Sequence, residues 1–117
     1  MADDEAMVRQ VTGDVMRSMG YTVVEAVDGV DALEKFQRAP QTFSMAILDL
    51  VMPRMDGYAT FHALRRIRPD LPVVFISGYS REEVPMPAEV RDHAGFLQKP
   101  FQMNQLVQVL ERFRRSH

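Results

Sequence analysis

The 117-residue sequence has no cysteine, which excludes disulfides, thiolate zinc sites and cysteine nucleophiles. It has no apolar run long enough to span a bilayer. Its first residues lack the basic-then-apolar pattern of a secretory signal, so a soluble cytoplasmic protein is the expectation. Excess charge is absent too: the formal net charge of −2 gives no reason to expect nucleic acid or an anionic membrane as the primary partner. No Gly-x-Gly-x-x-Gly follows an expected strand, which disfavours a dinucleotide-binding enzyme. His62, His93 and His117 stand at no metal-ligand spacing. Lysine is scarce, with only Lys35 and Lys99 against a dozen arginines. What remains is an ordinary globular mixture, 46% hydrophobic and 26% charged, in a chain of single-domain size without repeats or low-complexity segments.

Helical and extended patterns alternate along this chain. Met7, Val8, Val11, Val15, Met16 and Met19 form a stripe at helical spacing, closed by Gly20 as a C′ residue. The β-formers of Tyr21–Ala26 predict a strand. After Asp28-Gly29, the residues Val30, Leu33 and Phe36 share a helical face. A buried strand ending at Asp49 follows, then a helix marked by Phe61, Leu64 and Ile67. Leu71–Ser77 is a second buried strand and Phe96–Lys99 a short third. Met103, Leu106, Val107, Leu110 and Phe113 stripe the last helix. Between them, Pro85 and Pro87 forbid a continuous helix over 80–94. Such alternation predicts an α/β domain, a doubly wound parallel sheet with helices on both faces.

The stretch Met45-Ala46-Ile47-Leu48-Asp49 ends an unalternating apolar run in a carboxylate and opens the turn Pro53-Arg54-Met55-Asp56-Gly57. Ligands of open α/β sheets bind outside the carboxyl ends of the strands, where Asp49 stands. A carboxylate there is a phosphoryl acceptor, a metal ligand or a helix cap. Asp3-Asp4-Glu5, Ser77-Gly78 and Lys99-Pro100 fall at or beside the same sheet edge, because right-handed crossovers bring every strand's carboxyl end to one side. Asp3, Asp4 and Asp49 repel one another unless a hard cation sits among them, and oxygen ligands with retained water suit Mg²⁺. Lys99 supplies a point positive charge and Ser77 a hydroxyl. Together these groups suit phosphoryl transfer to a carboxylate. Blander roles exist for each: Asp56 reads as a helix N-cap, the acidic run as a solvated helix start, and Ser77 as a turn cap.

Those four pieces, in that order and spacing, resemble the receiver domain of two-component response regulators, the family of the chemotaxis receiver. Ser77-Gly78-Tyr79 and Phe96-Leu97-Gln98-Lys99-Pro100-Phe101 are most similar to receivers of hybrid sensor histidine kinases. The resemblance covers Asp3 to about Phe113. It implies a flavodoxin-like sheet of order 2-1-3-4-5 and one receiver domain over residues 1–117 without an effector domain. It also implies Asp49 as phosphoacceptor, with a histidine kinase or histidine phosphotransfer protein as donor. Mg²⁺ would be held by Asp4, Asp49 and the Val51 main-chain carbonyl, with Asp3 in support. Ser77 would follow the phosphoryl group, Lys99 would contact it, and Lys99-Pro100 would be cis. Such a domain is not a conventional enzyme but promotes its own aspartyl phosphorylation and dephosphorylation. Aspartyl-phosphate hydrolases carry a second aspartate two residues past the nucleophile, where this chain has Val51.

Three departures stand out. Only Met1-Ala2 precede Asp3, where the family has a strand of four or five apolar residues. That gap predicts an unanchored Asp3 and Asp4. Upstream residues could complete the sheet, its strands could re-pair, or a second molecule could enter as a dimer. Phe96 stands where the family often has a switch tyrosine, so no ring hydroxyl reaches Ser77. The two prolines at 85 and 87 alter a helix that many receivers signal through. Asp49 in a non-phosphorylated interaction module is the alternative reading.

Overall fold

The computed structural model describes residues 1–3, 5–51, 54–79 and 94–116, with the side chains of the last helix described through Arg112. Three strands, β1 (Ala46–Asp49), β2 (Val73–Ser77) and β3 (Ala94–Gln98), form a parallel sheet in that spatial order. The register pairs Ala46 with Val73 and Val73 with Ala94, so Asp49 faces Ile76 and Ser77 faces Gln98. Among the described residues four α-helices accompany them: α1 (Ala6–Ser18), α2 (Gly29–Arg38), α3 (Gly57–Ile67) and α4 (Met103–Ser116).

Side chains alternate across the sheet as the pleat requires. Leu48, Val73 and Phe75 join Phe36, Phe61 and Leu64 in a core beneath α2 and α3. Ile47, Val74, Ile76 and Leu97 pack with Val15, Met16, Leu106 and Leu110 beneath α1 and α4 on the other face. All five residues of β2 are buried, as the unbroken apolar run requires of a strand covered on both sides.

The helix ends follow the sequence signals. Asp28 and Asp56 cap α2 and α3 by accepting from the Asp31 and Ala59 N–H groups. Gly20 takes a positive φ of 96° after α1, a conformation that glycine adopts without a Cβ penalty.

The region before β1 departs from expectation in two ways. No strand forms over Tyr21–Ala26; only Ala26 makes a parallel bridge. Its partner is Ala2, which also bridges Leu48 on its other side. Met1–Asp3 thus hold the first-strand place: Met1 N donates to Val24 O, Ala2 N to Ile47 O and Asp3 N to Ala26 O, while Ala2 O accepts from Asp49 N. The expectation of an unanchored Asp3 is therefore corrected, because two backbone rungs on either side of Ala2 are enough to fix it. The strand over 21–26 fails for the complementary reason. A strand persists only where its neighbour supplies rungs, and this neighbour is three residues long. Asp4, the 80–93 part of the proline-bearing segment with His93, and His117 lie outside the described residues, as does the Phe113 side chain.

Candidate functional site

Asp49 ends β1 with only 4% of its surface exposed. Its Oδ1 accepts from the Val51 N–H at 3.1 Å, and its Oδ2 accepts from Lys99 Nζ at 2.8 Å. Lys99 follows β3 and leads into a cis bond to Pro100. Its backbone N–H donates to the Ser77 carbonyl, tying the two strand ends together. Ser77 is buried, and its hydroxyl accepts from the Tyr79 N–H at 3.0 Å.

Asp3 arrives from the first-strand place and is fully buried. Its Oδ1 accepts from the Glu5 N–H at 2.8 Å, and its Oδ2 lies 3.1 Å from Lys99 Nζ. The latter is an ion pair outside hydrogen-bonding angles, so Oδ2 is buried without a hydrogen-bond donor. Glu5 closes the group from the solvent side, its Oε1 2.7 Å from Lys99 Nζ. The sequence gives Glu5 no role beyond its place in the Asp3-Asp4-Glu5 run. Its signal was a third acid in the Asp3-Asp4-Glu5 run, but only the fold shows that it reaches Lys99, 94 residues away.

Three carboxylates thus surround one ammonium, and the electrostatics follow. Burial pushes the Asp3 pKa up to about 6; the Glu5 N–H opposes this and the neighbouring Asp49 charge adds to it. Burial alone would lower the Lys99 pKa, but its hydrogen bonds to Asp49 and Glu5 and its ion pair with Asp3 outweigh burial and raise it. Oxygens of Asp3, Glu5 and Asp49 lie within 4.8 Å of one another. An all-oxygen, net-negative set that includes a buried oxygen lacking a donor fits a hard divalent cation. Val51 itself is 65% exposed on the rim. Phe96 is half-buried against the α2–α3 core.

The turn after Asp49 is held closely. Gly57 N–H donates to Leu50 O, and a Cβ at Gly57 would stand 2.5 Å from Asp49 O. Only glycine lets α3 begin this close to the strand end.

An open parallel α/β sheet, carrying an acidic pocket with one lysine at the carboxyl edge, defines the class of protein. The sequence matches the response regulator receiver domain over residues 1–111. The sensor kinase CckA of Brucella abortus (strain 2308) is 36% identical over 113 residues, 95% of this chain and 12% of the kinase. The response regulator receiver protein CpdR of the same organism is 31% identical over 112 residues, 96% of this chain and 92% of CpdR. Among solved structures, the receiver domain of the hybrid histidine kinase CckA superposes with a TM-score of 0.81 at 31% identity, covering 96% of this chain and 94% of that one. The receiver domain of NtrX from Brucella abortus gives 0.86 at 28% identity, covering 99% and 97%. The chain belongs to the response regulator receiver domain family of two-component systems.

Proposed function

We propose that this receiver accepts a phosphoryl group on Asp49, with Mg²⁺, from a histidine kinase or histidine phosphotransfer protein, and thereby switches a protein-interaction surface. The observation that carries the reading is the Asp49 carboxylate itself. It is almost fully buried at a strand end, yet it is bonded by one backbone N–H and one lysine. One of its oxygens lies within 4.8 Å of carboxylate oxygens of Asp3 and Glu5. A structural aspartate would have no need of this arrangement.

In the proposed step an Asp49 oxygen attacks phosphorus, the bond from phosphorus to the donor nitrogen breaks, and the donor imidazole keeps that electron pair. Lys99 balances charge on the transferred group, and the Val51 N–H holds the carboxylate in one rotamer. Mg²⁺ would be held by Asp4, Asp49 and the Val51 carbonyl, with Asp3 in support, and it neutralises phosphoryl oxygens when bound. The new group brings a charge of about −1.5 to −2 units. Ser77 lies on the neighbouring strand end, where its hydroxyl can turn from the Tyr79 N–H to a phosphoryl oxygen. Phe96 would respond by repacking. Receivers act with histidine kinases or phosphotransfer proteins, and we propose the same partners for this one, in the cytoplasm. Among the described residues no helix is long and apolar enough to cross a membrane.

The test is incubation with a small-molecule phosphodonor, with and without Mg²⁺, read by intact mass beside Asp49→Asn. A Mg²⁺-dependent gain of one phosphoryl group, absent from the variant, is expected. No gain from folded protein would replace this reading with a non-phosphorylated interaction module.

A further inference from the structure

Arg54 adopts a φ of 65°, the only positive φ at a non-glycine residue among those described. A side chain in this left-handed region clashes with its own backbone, which is why glycine or asparagine usually occupies it. What the Arg54 side chain reaches offsets that cost. Nε donates to Asp28 Oδ2 at 2.7 Å and Nη2 to Asp28 Oδ1 at 3.0 Å, a two-pronged pairing that lysine could not make. Asp28 is a firm anchor: its side chain is 7% exposed, and its Oδ1 also accepts from the Asp31 N–H to cap α2.

A second observation points the same way. A Cβ at Gly29 would stand 2.4 Å from Met55 O and 2.2 Å from Thr60 Oγ1. The first turn of α2 therefore lies directly on the backbone beside Arg54. Leu50 is fixed to β2 through its N–H to Ile76 O and to α3 through the Gly57 N–H, and Val51, Arg54 and Met55 beyond it make two described ties: Val51 N–H to Asp49 Oδ1, and Arg54 to Asp28. The first of these is local; the second alone, among the described hydrogen bonds of that stretch, joins it to another element.

We infer that the Arg54–Asp28 ion pair is a clasp that sets the position of Val51 relative to Asp49, making Arg54 a positioning residue for cation binding and phosphoryl acceptance. This rests on the function proposed above. Arg54 touches neither the phosphoryl group nor the cation; it acts through the segment it holds.

The test compares the full chain with Arg54→Ala, Arg54→Gly and Asp28→Asn. Asp28→Asn keeps an oxygen for the Asp31 N–H while removing the charge that holds Arg54, and it adds no backbone freedom. Mg²⁺ binding is followed by NMR titration, and Val51 amide exchange is followed in metal-free protein. All three variants should bind Mg²⁺ about tenfold more weakly, as loss of a group supporting a metal site does, and should exchange Val51 faster. Arg54→Gly should melt no lower than wild type because it relieves the positive φ, which separates positioning from folding. Wild-type exchange at Val51 in Asp28→Asn, or wild-type Mg²⁺ affinity in any folded variant, overturns the inference. If wild type binds no Mg²⁺, the proposed function fails, while amide exchange still decides whether the clasp exists.

Discussion

At Asp3 the fold holds a carboxylate where burial opposes its ionisation, and the consequence depends on pH. Its folded pKa is raised from 3.8 to about 6. The folded state therefore binds more protons than the unfolded state between those values, and stability falls as pH rises through that window. Above it the cost is constant; below about pH 4 it is absent. Asp3→Asn removes the charge and keeps the shape. In metal-free protein at pH 8 it should stabilise the fold, by up to about 3 kcal/mol for a shift of roughly two pH units. At pH 4 it should have little effect. Denaturant unfolding at the two pH values checks this, and equal effects at both would show that Asp3 is not an ionisation burden. Asn at this position should also weaken Mg²⁺ binding. That trade is expected of a group whose environment suits a cation better than an empty pocket.

The start of α3 against the end of β1 is the contact on which the site's geometry depends. A Cβ at Gly57 would meet Asp49 O at 2.5 Å and the Leu50 Cα at 2.8 Å. Both are backbone atoms that cannot turn aside. Gly57→Ala should cost roughly 2–3 kcal/mol as overpacking does, and it should slow phosphorylation of Asp49 by displacing the strand end. Gly78 is the control, because nothing lies within 4 Å of the Cβ position there. Gly78→Ala should be neutral or slightly stabilising by narrowing the unfolded ensemble, by at most about 1 kcal/mol. Equal thermal shifts for the two variants would remove close approach as the reason for Gly57. At this scale the sequence was a good guide wherever a pattern is local. The apolar stripes marked the four helices, Asp56 announced its cap, and the Ala46–Leu48 run before Asp49 placed the strand end. It misled at Tyr21–Ala26, where the neighbouring Met1–Asp3 supply rungs only at Val24 and Ala26. Asp49, Ser77 and Lys99 could be named because each ends a recognisable strand. The reach of Glu5 to Lys99 and of Arg54 to Asp28 could not, since nothing in a one-dimensional pattern shows which side chains cross between loops.

Across the whole molecule, the sheet is thinnest beyond β1, where Ala2 and Ala26 make single bridges. Ala2 bridges both neighbours, and Met1 still donates to Val24 O, but the next rung from the Ile47 N–H points to a position one residue before Met1. A cavity of about 40 Å³ lies there, lined by Ala2, Val24, Phe36, Phe43, Ala46 and Leu48. Side chains alternate along a strand, so the residue before Met1 would share a face with Ala2 and point into this cavity. Lengthening the chain by four alternating valines and leucines ahead of Met1 should therefore fill apolar space and add rungs on both sides. A gain of about 1–2 kcal/mol is expected from burying one or two such side chains, which for a domain of this size raises the melting temperature by roughly 4–10 °C. A Gly-Ser extension of equal length supplies the backbone without the side chains and should give little. Thermal unfolding of the two extended chains beside the original decides the matter. If they melt together, the residues on either side of Ala2 do not form a slot for a strand. If only the apolar extension stabilises, the same slot explains why three residues suffice to hold Asp3. They occupy the end nearest the site, where the rungs they form act on β1, which ends in Asp49, or on the segment leading to Asp28.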